Sequence, residues 1–118
     1  MKYRFQKEEK LKSRKLIERL FSEGKSVSSF PVKVFFLPLA DAQFHQATFA
    51  VPKRSFKLAV ARNRIKRQMR EAYRLHKHLL SHNNGPKFAL LFLYISKDKP
   101  QYAHVISSMK QLLNEKIA

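Results

Sequence analysis

Residues 61 to 70 read ARNRIKRQMR, with five arginines or lysines and no acid. A guanidinium presents a rigid fork of N–H donors that matches paired phosphate oxygens, an ammonium acts as a point charge, and the Asn63 amide can donate and accept at a sugar hydroxyl or base edge. The chemistry on offer is recognition of a polyanion. It carries a cost, because like charges four apart on a helix repel by roughly 0.2–0.5 kcal/mol per pair. A partner of opposite charge is therefore implied. Lys53, Arg54 and Lys57 precede the run, Arg74 and Lys77 follow it, and between Asp41 and Asp98 only Glu71 is acidic.

Residue types for protein-borne hydrolysis are sparse. A protein nuclease uses clustered carboxylates on metal ions, or an acid and base pair; here the eight acids are scattered and only Glu8 and Glu9 adjoin. His78 and His82 are spaced to share a helix face near His76, but no cysteine or acid completes a ligand set. The simpler assignment packs His76 against the helix and leaves the other two on the surface. No catalytic residue is expected, and no metal ligand set is assigned. The chain lacks cysteine, which excludes disulfides and thiolate sites.

Twenty-five basic residues against eight acidic ones give a formal charge of +17, far beyond the needs of solubility and pointing to nucleic acid. Fourteen aromatics, ten Phe and four Tyr, argue for a folded core rather than a basic tail. The 118 residues suit one domain over 1–118, with residues 1–10 as a flexible basic arm. The longest apolar run, FALLFLYI, is far shorter than the ~18 residues of a spanning helix, so the protein is read as cytoplasmic with no membrane partner.

The elements that position these groups follow from periodicity. In SRKLIERLFSEG, Leu16, Ile17, Leu20 and Phe21 keep helical spacing, Ser13 can cap the start and Gly24 can end it. VKVFFLPL and FHQATFAVPK are β-branched and aromatic and flank a turn at Ala40 to Gln43, which predicts a hairpin. Alternation puts Val34, Phe36, Phe49 and Val51 on one face, and Lys33, Phe35, Leu37, Thr48 and Ala50 on a partly covered one. A short strand can precede these near Ser26 to Phe30.

Helical pattern then runs from about Leu58 to Leu80. Ile65, Met69, Ala72, Tyr73, His76, Leu79 and Leu80 face one way; Asn63, Lys66, Arg67, Arg70, Arg74 and Lys77 face the other. Arg62 and Arg64 flank the stripe. After the NNGP breaker, FALLFLYI reads as a strand covered on both faces, and a last helix carries Tyr102, Val105, Ile106, Met109, Leu112 and Leu113. The fold class is α+β, a compact two-layer sandwich in the order α-β-β-β-α-β-α. A solvated charged face is the alternative explanation of the stripe; the missing acids and the adjoining Lys53, Arg54 and Lys57 count against it.

AVARNRIKRQMREAYR, preceded by FAVPKR, resembles the arginine-rich signature helix of the bacterial ribonuclease P protein subunit, with its RNR triplet at Arg62, Asn63 and Arg64. KLKSRKLIERLFSEGKSV is similar to that family's first helix and glycine turn. The resemblance implies a sandwich related to a ribosomal-protein fold, with a left-handed βαβ crossover. It implies a protein that assists a catalytic RNA in cutting the 5′ leader from precursor tRNA, one protein per RNA, with Mg²⁺ used by the ribonucleoprotein and none bound tightly by the protein alone. By matched position, Arg62, Asn63, Arg64, Lys66, Arg67 and Arg70 would contact the catalytic RNA, with Arg74, Lys53 and Arg54 extending that surface. Ile17, Phe21, Phe35, Thr48 and Ala50 would line the leader cleft. Ile17 stands where the family often has an aromatic, and KRSFKLAV lacks a glycine common in the loop before the signature helix.

Phe36, Phe49 and Phe88 are simplest as core. Phe21 and Phe35 are balanced between core packing and a stacking platform of the kind single-stranded RNA sites use, and only the resemblance favours the platform. The competing function is a ribosome-associated protein that lays the same basic helix on ribosomal RNA.

Overall fold

The structure, a computed structural model, describes residues 9–39, 44–82 and 87–116. The expected turns at Ala40 to Gln43 and at NNGP, and residues 1–8 of the expected arm, lie outside them.

Helix α1 spans Arg14–Glu23; the Ser13 hydroxyl accepts from the Leu16 N–H at 3.3 Å, as its capping position predicts. Gly24 ends α1 with an ordinary negative φ of −72°. What demands glycine is close approach, since a Cβ there would stand 2.5 Å from the Leu20 carbonyl oxygen. Strands β1 (Lys25–Ser29) and β2 (Val32–Leu39) follow, then β3 (Gln46–Ala50), α2 (Ala59–His76) with a 3-10 extension (Lys77–His82), β4 (Lys87–Tyr94), and α3 (Tyr102–Gln111) with a π turn (Leu112–Lys116). This is the α-β-β-β-α-β-α order expected.

The four strands lie in the order β1-β2-β4-β3. The predicted hairpin between VKVFFLPL and FHQATFAVPK does not form: β4 lies between them, antiparallel to β2 and parallel to β3. The reason lies in β4, whose residues are apolar on both faces and gain most from the sheet centre. The hairpin partner of β2 is β1, the short strand foreseen near Ser26. β3, α2 and β4 thus make a βαβ unit, with α2 as the crossover.

The alternation holds despite the changed pairing. Val32, Val34, Phe36, Phe49, Val51, Leu90, Phe92 and Tyr94 pack with Ile65, Met69, Ala72 and Tyr73 of α2 and with Val105 and Met109 of α3. On the other face Phe35, Leu37, Ala50 and Leu93 join Leu16, Ile17 and Leu20 of α1, around Leu11, Ala89 and Leu91. The sheet against α2 and α3 is the main sandwich, and the ten-residue α1 covers only part of the opposite face. Tyr102, at the start of α3, is 38% exposed, whereas Val105 and Met109 are buried. At the end of the expected arm, Glu9 is 9% exposed, and Lys10 forms a parallel bridge to Ala47 on the open edge of β3.

Candidate nucleic-acid interface

Helix α2 is anchored as its periodicity demands, with Ile65, Met69, Ala72 and Tyr73 buried. The opposite side leaves Asn63, Arg64, Arg67 and Arg70 exposed and Lys66 half-buried. Among the described residues, no ion pair involves Arg64, Lys66, Arg67 or Arg70. Asn63, Lys66, Arg67 and Arg70 form one wall of a cleft of about 470 Å³. Its floor is Ala47, Thr48 and Phe49, and its second wall is Lys10, Leu11 and Lys12. Among the described residues, five cations and no acid line this cleft, so its potential favours an anion.

Two residues of the expected surface are engaged within the fold. Arg62 donates from Nη1 to the Phe56 and Lys57 carbonyl oxygens, each at 2.8 Å. It pins the turn that enters α2, whose first residues have no side-chain cap. Arg74 forms a fork on Glu71, with Nε to Oε2 at 3.1 Å and Nη2 on Oε1. The pairing holds the Glu71 carboxyl below its usual range and raises Arg74. Lys77 meets Glu9 at 2.6 Å. Lys53 and Arg54 are exposed on the turn before α2.

The aromatic cleft lies on the α1 face. Phe21, 54% exposed, places its ring 5.0 Å from that of Phe35 at an interplanar angle of 58°. Ile17 is half-buried in the same apolar cluster, and the Lys33 ammonium stands 5.1 Å from the Phe35 centroid. Phe35, Leu91 and Thr48 share one row across β2, β4 and β3; Lys33, Leu93 and Ala50 share the next. Rows are ~6.7 Å apart and strands ~4.8 Å apart, so Thr48 stands about 10 Å from Phe35. Thr48 also floors the basic cleft and so lies between the two surfaces.

The second row leads into a hollow of about 440 Å³ lined by Pro52, Arg54, Ser55, Leu93, Tyr94, Ile95 and Lys97. Lys33, Leu93, Lys97, Lys10 and Lys12 are thus site-lining groups that were not assigned from sequence. For Lys33 the alternation on β2 was the available signal; for Lys97 and the two N-terminal lysines there was none.

The histidines do other work. His76 donates from Nδ1 to the Ala72 carbonyl at 3.0 Å, consistent with helix packing. His45 accepts from the Phe88 N–H at 3.0 Å and stacks on the Phe88 ring, 5.9 Å away. Burial, then the nearby Lys87 charge, lowers its pKa to about 4, with Glu9 opposing. Among the described residues, no three His, Asp or Glu converge as a metal site, and no helix is long and apolar enough to cross a membrane.

Fold and surface define a small, strongly basic α+β sandwich protein with an acid-poor helix face beside a half-open aromatic cleft. The family described as Ribonuclease P matches residues 5–116, and the chain belongs to that family of bacterial ribonuclease P protein components. It is 34% identical over 112 residues to the ribonuclease P protein component of Porphyromonas gingivalis, covering 91% of this chain and 82% of that protein. Its backbone is similar to that of the ribonuclease P protein from Thermotoga maritima, with a TM-score of 0.76 at 22% identity over 93% of this chain and 99% of that one. The Staphylococcus aureus ribonuclease P protein gives 0.73 at 21% identity, over 89% and 92%.

Proposed function

We propose that this chain is the protein subunit of ribonuclease P, one per catalytic RNA, in the cytoplasm. It binds that RNA through the exposed cations of α2 and holds the 5′ leader of precursor tRNA along the open sheet face while the leader is removed. The observation that carries this reading is the pairing of two surfaces of different chemistry on either side of Thr48. One is the cleft of Asn63, Lys66, Arg67 and Arg70 with Lys10 and Lys12, lined by no acid among the described residues. The other is the Phe21 and Phe35 pair, which leads past Leu93 and Ala50 into the hollow with Arg54 and Lys97. Phosphates fit the first, and unstacked bases over an aromatic ring fit the second.

The protein side of the reaction is binding and charge neutralisation. No carboxylate cluster suited to Mg²⁺ stands among the described residues, where Glu9, Glu23 and Glu71 each pair with a cation. Mg²⁺ is accordingly assigned to the RNA, where it would supply the activated hydroxide and the charge on the leaving oxygen. The chain's own cations reduce repulsion between the catalytic RNA and its substrate.

Reconstitution with the catalytic RNA from the same source tests the reading. The protein alone should leave precursor tRNA intact, and its addition to the RNA should lower the Mg²⁺ concentration at which the leader is cut. Cleavage by RNA-free protein would overturn it. Co-purification with ribosomal subunits, rather than with precursor tRNA and one structured RNA, would favour the ribosomal alternative.

A further inference from the structure

The strap Glu9 to Lys12 crosses the open edge of β3 and touches both layers. On the α1 side, Leu11 is 4% exposed among Leu20, Ala89 and Leu91. At the edge, the Leu11 N–H donates to the Ala47 carbonyl at 2.9 Å. On the other side, Glu9 reaches the start of the 3-10 extension and meets Lys77 at 2.6 Å, with their side chains only 12% and 14% exposed. Between these anchors the strap holds Lys10 and Lys12 in the wall facing Lys66, Arg67 and Arg70. Five like charges around one cleft repel, so the wall needs a fixed attachment, and in an ion pair shielded from solvent the loss of either partner leaves a buried charge uncompensated.

We propose that the Glu9–Lys77 pair is a latch that positions the second wall of a phosphate-backbone clamp, so that an acidic residue raises the protein's affinity for RNA. The proposal rests on the functional reading above and deepens it: the RNA backbone is gripped between strap and helix instead of lying on one open helix face. Through-space electrostatics alone predicts the reverse, since removing an acid from a protein of charge +17 should tighten RNA binding.

The experiment measures binding of the full-length protein to the catalytic RNA across monovalent salt concentrations. Each neutralised phosphate adds about 0.7–0.9 to the slope of log K against log salt. If Lys10 and Lys12 both cease to meet the RNA backbone, Glu9→Gln should flatten that slope by about 1.5 and raise Kd roughly tenfold near 0.15 M. Glu18→Gln, on the exposed side of α1, makes the same charge change and should keep the slope. Loss of folded protein lowers the active fraction and leaves the slope unmoved, so the slope separates positioning from stability. The charge swap Glu9→Lys with Lys77→Glu should restore it. Lys10→Ala with Lys12→Ala should flatten the slope in the wild-type background and add little in Glu9→Gln.

A Glu9→Gln protein that binds as tightly as Glu18→Gln with an unchanged slope overturns the latch, as does a full effect of the lysine pair in the Glu9→Gln background. Failure of the unmodified protein to bind the RNA would overturn the functional reading and the latch with it. That outcome is distinguishable because it arises with the latch intact.

Discussion

The Phe21 ring, at the margin of the α1 face that meets the sheet, stands 5.0 Å from the Phe35 ring of β2, tilted by 58°. A helix side chain and a strand side chain separated by β1 meet here as an aromatic pair, and Phe21 keeps half of its surface open. Replacing either by Leu retains most of the apolar volume and removes stacking worth ~1–3 kcal/mol per base. Holoenzyme carrying Phe21→Leu should lose affinity for precursor tRNA and keep it for mature tRNA, which has no leader. Equal weakening for both ligands in direct binding measurements would show that the pair is packing only.

The exposed cations of α2 should behave as phosphate-binding groups. Lys66→Ala, Arg67→Ala and Arg70→Ala together should weaken binding to the catalytic RNA and flatten its salt dependence by roughly 0.7–0.9 per charge removed. None of the three is buried as Ile65 and Met69 are, so thermal unfolding should be little altered. An unchanged salt slope in the triple variant would make the stripe a solvated face.

Arg62 should separate from its neighbours in a stability assay. It donates to two backbone carbonyls of the turn before α2, and net contributions of ~0.5–1.5 kcal/mol per hydrogen bond predict that Arg62→Ala costs about 1–3 kcal/mol. Arg70→Ala should stay within about 0.5 kcal/mol of the parent. Chemical denaturation of the two variants decides it; equal stabilities would mean that the turn holds itself.

Acid sensitivity should trace in part to His45. Its folded pKa of about 4 lies below the ordinary 6.5, so the unfolded chain binds the proton first. Stability is then complete above about pH 6.5 and falls as pH drops toward 4, where the Phe88 N–H would lose its acceptor. His45→Asn keeps an acceptor and removes the titration. Denaturation midpoints measured between these limits should slope less for the variant; identical slopes would place the sensitivity elsewhere.

Much of this protein was determined by local pattern. The 3.6-residue period of α2 sorted Ile65, Met69, Ala72 and Tyr73 from Lys66, Arg67 and Arg70, because a helix turns its side chains at a fixed angle whatever surrounds it. Strand alternation likewise put Val34 and Phe49 on one face and Phe35, Thr48 and Ala50 on the other, and it survived a wrong pairing because which face a residue takes is a property of one strand. Tertiary structure alone decided the rest. It inserted β4 between β2 and β3, since the choice of neighbour depends on which strand gains most from burial on both sides. It turned Arg62 inward onto the turn and paired Arg74 with Glu71, distinctions that composition cannot make among adjacent arginines. And it brought Glu9 to Lys77 across 68 residues, making an ordered wall of Lys10 and Lys12, because a meeting of distant segments has no period to betray it.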